Sequence, residues 1–219
     1  MKIAIFWHTI FSGGSRPIDM SYACGIMADQ MESLRKSGLL AATDEMIIGV
    51  NGGADDAEVA RLFAPAKARI IPHGANATTE IPTMNLIRQW LPGHATWKVL
   101  YGHLKGVSHP WLPSDMAWRE RMEQACIWGW RNCVQELENG TDACGCHWLT
   151  PEKYPGQVAS PFFGGTFFFA NAKYLLTLPP LPEATWANRY RAESWIGSGA
   201  KRPRVKDLYP GWPDLSMNV

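Results

Sequence analysis

The chain has 219 residues, 46% of them hydrophobic and 19% charged, which suits one large globular domain with a substantial core. Its formal net charge of +1 leaves no global basic field to draw nucleic acid or an anionic membrane, although a local basic patch remains open. No apolar run approaches the roughly 18 residues of a membrane span, and the apolar start Ile3–Trp7 is too short for a signal peptide.

Strand-like and helix-like segments alternate through the first half. Ile3–Trp7 reads as a buried strand, followed by a Gly/Ser-rich loop from His8 to Pro17. Ile18–Ser37 reads as a helix, with Cys24, Met27, Met31 and Leu34 near helical spacing. Strands are predicted at Glu45–Val50, Ala68–Pro72 and Trp97–His103, with helices at Asp55–Phe63 and Thr83–Trp90 between them. This rhythm predicts an α/β fold with a doubly wound, mostly parallel sheet flanked by helices.

The second half predicts one long helix over Asp115–Glu138, with Ser114 as its N-cap. A strand at Asp142–Trp148, a loop at Pro151–Pro161 and a strand at Thr166–Ala170 follow. Short helices are expected at Asn171–Leu178 and Ala187–Ile196. The tail is rich in Gly and Pro and carries Lys201, Arg202, Arg204 and Lys206. No linker or repeat interrupts the chain, so the expected organisation is one domain over residues 1–197 and a basic extension over 198–219. Five cysteines, an odd number without disulfide spacing, point to reduced thiols and a cytoplasmic location.

Two segments put charged or small residues where buried strands should stop. Tyr101-Gly102-His103-Leu104-Lys105-Gly106 closes the fourth predicted strand. In an open α/β sheet ligands bind beyond the carboxyl ends of strands, and a lysine there suits a diphosphate. Surface lysine and strand-terminal histidine are the plain alternative. Phe163-Gly164-Gly165-Thr166 enters an aromatic strand, where it serves as a substrate platform or simply as a tight bend. Arg119, early in the long helix, could hold phosphate or stay solvated. Glu193 is a carboxylate beside aromatic residues, able to act as a base or to pair with Arg189 one turn earlier. Arg16 in the first loop could touch a nucleotide, but neither a dinucleotide fingerprint nor a phosphate loop is present. Cys144-x-Cys146-His147 lacks a second ligand pair for zinc.

Taken together, Tyr101–Gly106, Trp118-Arg119, Asp142–Gly145, Phe163–Ala170 and Arg189–Ile196 resemble, in order and spacing, a family of small bacterial and phage glycosyltransferases with a GT-A-type fold. Glu80-Ile81-Pro82-Thr83 is a weaker match, and the resemblance covers roughly residues 80–197. Leu104, Gly164, Thr166, Phe168 and Phe169 depart from the family's motifs.

The resemblance implies transfer of a sugar from a nucleotide diphosphate sugar, UDP-sugar first, to a hydroxyl of a glycan. Donor contacts would come from His8, Arg16, Tyr101, His103, Lys105, Gly106 and Arg119, and sugar contacts from Gly164, Gly165, Thr166 and Trp195. Glu193 would be the base, with Asp115 behind it. No Asp-x-Asp pair ends the fourth strand, so no cofactor is expected to be required. A divalent cation such as Mn²⁺ or Mg²⁺ is the alternative, with Asp142 as its ligand. Two other readings remain open: transfer to hydroxymethylated bases of DNA, with the basic tail on phosphates, and a non-catalytic carbohydrate-binding protein using the eleven tryptophans.

Overall fold

A computed structural model describes residues 1–11, 18–52, 56–74, 79–109 and 112–211. The first half alternates β1 (Ile3–Ile10), α1 (Met20–Lys36), α2 (Leu39–Ala42), β2 (Glu45–Asn51), α3 (Asp56–Phe63), β3 (Arg69–Pro72), α4 (Ile81–Trp90) and β4 (Lys98–His103). The second half contains α5 (Pro113–Glu123), α6 (Trp130–Glu138), β5 (Ala143–Gly145), β6 (Trp148–Leu149), β7 (Phe162–Phe163) and β8 (Phe168–Asn171). It closes with α7 (Ala172–Leu175), α8 (Arg189–Ser194) and β9 (Val205–Asp207).

Seven strands form one sheet in the order β3-β2-β1-β4-β8-β5-β9. All neighbours are parallel except β8, which runs antiparallel to both β4 and β5. The mostly parallel, doubly wound sheet expected from the alternation is present. Chain progression runs outward from β1 to β3 and then restarts on the other side of β1 with β4, so the β1/β4 boundary is the switch point.

Strand side chains alternate between two cores. Ile3, Ile5 and Trp7 pack with Met27, Leu34, Cys126 and Cys133 on one face. Ala4 and Phe6 pack with Met84, Ile87 and Trp90 of α4 on the other. The consecutive phenylalanines serve both layers, with Phe167 and Phe169 in the first and Phe168 in the second. Gly102 is small because the Trp7 ring lies where its Cβ would stand, 2.4 Å away.

Several boundaries differ from expectation for local reasons. β1 runs through His8 and Thr9 to Ile10 because both remain paired with β2 and bury their polar groups. The expected helix over Asp115–Glu138 is two helices joined by a π-helical turn at Gln124–Trp128. It ends at Gly129, where a Cβ would stand 2.7 Å from the Ala125 carbonyl oxygen. The helix starts at Pro113 with Leu112 as N-cap, so Ser114 lies inside its first turn. The expected strand Asp142–Trp148 is broken after Gly145, and His147 adopts a positive φ of 57° between β5 and β6. Val205–Asp207, from the basic tail, pairs with β5 as the sheet's edge strand. Among the described residues no helix is long and apolar enough to cross a membrane. No disulfide joins any of the five cysteines.

Candidate active site at the carboxyl ends of β1 and β4

Strand alternation sends His8, Tyr101 and His103 toward the α4 face of the sheet, and His8 stands opposite His103 in the β1/β4 register. The start of α4 meets them there. Pro82 sits in the first turn, and Glu80 occupies the N-cap position, where a carboxylate suits the helix dipole. The Tyr101 hydroxyl donates to Glu80 Oε2 at 2.7 Å. The other carboxylate oxygen, Oε1, lies 3.2 Å from His103 Nδ1. His103 Nε2 donates to the Gly165 carbonyl at 2.7 Å. The two segments singled out in the sequence are therefore joined directly.

A second polar group lies deeper. Thr83 Oγ1 is 2.8 Å from His8 Nδ1 and 2.9 Å from His73 Nε2. One hydroxyl has one proton, so it donates to at most one imidazole and accepts from at least one. Gly49 creates the space, since a Cβ there would be 2.0 Å from Thr83 Oγ1. Burial, helped by the neighbouring His103 and His73, holds the His8 imidazole well below the usual histidine range. At the end of β2, Asn51 Nδ2 donates to the Thr79 carbonyl, while Asn51 Oδ1 and Thr79 Oγ1 are buried without a partner among the described residues.

The loop after β4 is stapled to α5. Gly106 turns at φ 81°, with the Asp115 Cβ 3.0 Å from where its own would be. Arg119 Nη1 donates to the Lys105 carbonyl at 3.0 Å, and its Nε lies 3.9 Å from Glu123. Asp115 Oδ2 is 3.4 Å from His109 Nδ1. The Lys105 ammonium stands 3.8 Å over the Trp118 ring, whose Nε1 donates to the Gly164 carbonyl. Lys105 is thus held at the mouth of the site, over an aromatic face.

Glu193 approaches from α8, which packs against α4 and β7. Burial first, then the nearby Glu80 carboxylate, pushes the Glu193 carboxyl up to about 7, against the opposing pull of Lys105 and Arg189. Arg189 does not pair with it. That guanidinium stacks between the rings of Trp186 and Tyr190, at 4.5 and 4.0 Å from their centroids. Beside Glu193 a cleft of ≈520 Å³ is lined by Gln157, Ser160, Phe162, Tyr190, Arg191 and others.

These contacts bring His103, Lys105, Gly106, Asp115, Arg119, Gly164 and Gly165 into one cluster, with Glu193 within electrostatic reach of Lys105. Other expected contacts are buried or lie elsewhere. Tyr101 and Thr166 are buried, so neither side chain faces the groove. Trp195 is 2% exposed and donates its indole N–H to the Pro179 carbonyl, which leaves no ring face for a sugar. The exposed aromatic residues near Glu193 are Trp186 and Tyr190. Asp142 lies before β5, at the opposite pole of the sheet, where its Oδ2 accepts the Arg204 backbone N–H. Arg16 lies outside the described residues. His8 is present but buried beneath the groove.

The described residues of the site do not converge as the ligands of a divalent cation would. Among the described residues no three His, Cys, Asp or Glu side chains converge suitably, and both Glu80 oxygens are already engaged. Glu80, His73 and Thr83 are the members of the site that sequence reasoning did not single out. Glu80 and Thr83 carried one signal, the Glu-Ile-Pro-Thr stretch that opens α4, and His73 carried none.

No protein-family model matches the chain, and no curated protein matches it. Solved structures with a similar chain path include a mycobacterial protein at 14% identity, with 81% of this chain and 55% of that one aligned and a TM-score of 0.45. Another is 4-diphosphocytidyl-2C-methyl-D-erythritol synthase at 15% identity, with coverage of 80% and 78% and a TM-score of 0.38. A third is glucosyl-3-phosphoglycerate synthase from Mycobacterium tuberculosis in complex with Mn²⁺, UDP and phosphoglyceric acid, at 14% identity, coverage of 83% and 59% and a TM-score of 0.42. The chain therefore spans little more than half the length of the first and third of these.

Proposed function

We propose that the chain is a glycosyltransferase with a GT-A-type fold, moving a sugar from a nucleotide diphosphate sugar, UDP-sugar first, to a hydroxyl of a glycan acceptor. One observation carries the reading: a carboxyl pushed up to about 7, Glu193, lies within electrostatic reach of Lys105 at the sheet's switch point. A base tuned near neutrality and a fixed cation on one groove are the two groups this transfer needs.

The acceptor hydroxyl attacks the anomeric carbon and its proton passes to Glu193. The bond from that carbon to the diphosphate oxygen breaks, and the nucleoside diphosphate leaves with its electron pair. Lys105 stabilises the charge that develops on the leaving oxygens, and His103, whose two ring nitrogens are engaged by Glu80 and Gly165, holds the strand end beside it. Arg119 acts indirectly, fixing the Lys105 backbone. Tyr190 and Trp186 offer exposed ring faces to the acceptor sugar. Transfer to DNA bases has less support, because the basic residues meant to track phosphates line the other pole of the sheet.

Thermal-shift titration with UDP, GDP, CDP and TDP, followed by detection of released nucleoside diphosphate, tests the reading. A native-state ligand raises stability by RT ln(1 + [L]/Kd), so one nucleotide family should raise Tm. A folded sample that shifts with none of them, yet binds oligosaccharide, is a carbohydrate-binding protein instead.

A further inference from the structure

Five of the chain's 21 lysines and arginines meet in one cleft that the proposed transfer does not use. Lys98 enters from the start of β4, Lys173 from α7, and Lys201, Arg202 and Arg204 from the segment leading into β9. Asp142 is the one carboxylate lining it, and its Oδ2 already accepts the Arg204 backbone N–H at 2.8 Å. The cleft holds ≈520 Å³, at the amino ends of β4 and β5. The candidate active site lies at the carboxyl end of β4, so the length of that strand separates the two.

The charges are poorly compensated. Lys173, Lys201 and Arg204 form no ion pair among the described residues, and the Arg202 contact to Glu152 is 3.7 Å long and solvent-exposed. Lys98 donates to Asn171, and burial pushes its ammonium below the usual lysine range against the opposing pull of the Glu138 carboxylate. Gathered like charges repel, and an anion between them reverses the sign of each interaction. The tail's fourth cation, Lys206, is tied away to Glu136 at 3.2 Å. The basic run is therefore divided: Lys201, Arg202 and Arg204 line the cleft, while Lys206 is paired with Glu136.

From this arrangement we infer that the cleft is a binding site for a compact, multiply charged phosphate such as an oligophosphate or a small bis-phosphorylated metabolite. Several cations from separate segments, with guanidinium groups among them, match clustered phosphate oxygens better than a single charge. The inference is independent of the glycosyltransferase reading.

The test is calorimetric titration of the full chain with tripolyphosphate at about 50 mM salt, where screening is weak. The exposed pair Lys173→Glu and Lys201→Glu is combined in one variant, and Lys36→Glu serves as a distant charge control. The inference expects saturable one-to-one binding of tripolyphosphate, weakened tenfold or more in the double variant and unchanged in the control. Circular dichroism confirms that each variant is folded, and the nucleotide thermal shift should be the same in all three proteins. Absence of saturable binding overturns the site, as does binding that the double variant leaves intact. Orthophosphate binding as tightly as tripolyphosphate overturns the oligophosphate class. A short DNA duplex that binds more tightly than tripolyphosphate and is lost in the double variant replaces the compact anion with nucleic acid.

Discussion

His103 donates through Nε2 to the Gly165 carbonyl at 2.7 Å, which fixes both the ring and its proton. A carbonyl can only accept, so Nε2 carries hydrogen. The opposite nitrogen, Nδ1, faces Glu80 Oε1 at 3.2 Å. His103 therefore clamps the end of β4 to the glycine turn before β8 and faces the N-cap of α4 with its other nitrogen.

Replacing His103 by Ala should leave the Gly165 carbonyl and Glu80 without their partner. The expected loss is about 1–3 kcal/mol of stability, from partly buried polar groups stripped of a hydrogen bond. Urea denaturation measures it. His103→Gln, which can still donate to the carbonyl, should recover part of the loss. Unchanged stability in the alanine variant would mean that the two segments are held by the β4/β8 ladder alone.

Glu193→Gln should lower kcat by about 10²–10⁴-fold, the usual contribution of a general base. In the wild type the rate should rise with pH through about 7 as the carboxyl ionises. The sign for stability is opposite. A carboxyl raised in the folded state stabilises it fully below its unfolded value near 4.5, and that contribution is lost as pH rises through about 7. The glutamine variant should thus be more stable than wild type at pH 8, by at most about 3 kcal/mol. Paired pH profiles of rate and Tm check both signs. A near-normal rate makes Glu193 a structural residue.

Gly49→Ala should damage the site from below. The new Cβ would stand 2.0 Å from Thr83 Oγ1 and 2.4 Å from His73 Nε2. Those atoms belong to a hydrogen-bonded set packed between β2 and α4, so overpacking should cost about 1–3 kcal/mol and separate His8 from Thr83. Chemical denaturation gives the cost, and NMR of the histidine rings reports the altered contact. A variant as stable as wild type, with unshifted histidine signals, rejects the packing account.

The alternation of strands and helices was legible because each buried parallel strand is a short apolar run bounded by turn residues. The end of β1 was not, since His8 and Thr9 look like loop until Thr83 and the Gly49 carbonyl, 75 and 40 residues away, satisfy them. The break near Gly129 was hidden because apolar spacing continues through the π turn into α6. Lys105 and Glu193 were visible by residue type and position. Glu80 was not recognised as their neighbour, because only tertiary structure brings the start of α4 to the end of β4. Trp195 shows the limit of composition: an aromatic residue near a base can face the core as easily as the groove.

Lys105 is the remaining test of how the leaving diphosphate is stabilised. Its ammonium is held 3.8 Å above Trp118, and its backbone is fixed by Arg119. Removing the charge by Lys105→Ala should lower kcat by about 10²–10³-fold, as when one group aimed at a developing negative charge is removed. Stability should fall only by the cation–π contribution, about 0.5–1 kcal/mol. On the proposed reading Lys105 itself supplies this charge, so wild-type turnover should persist in excess EDTA. A strict requirement for Mn²⁺ or Mg²⁺ together with a mild Lys105→Ala defect would transfer the role to a cation held partly by residues outside those described. Loss of turnover in Lys105→Ala with EDTA-resistant wild type instead assigns the positive charge to this side chain.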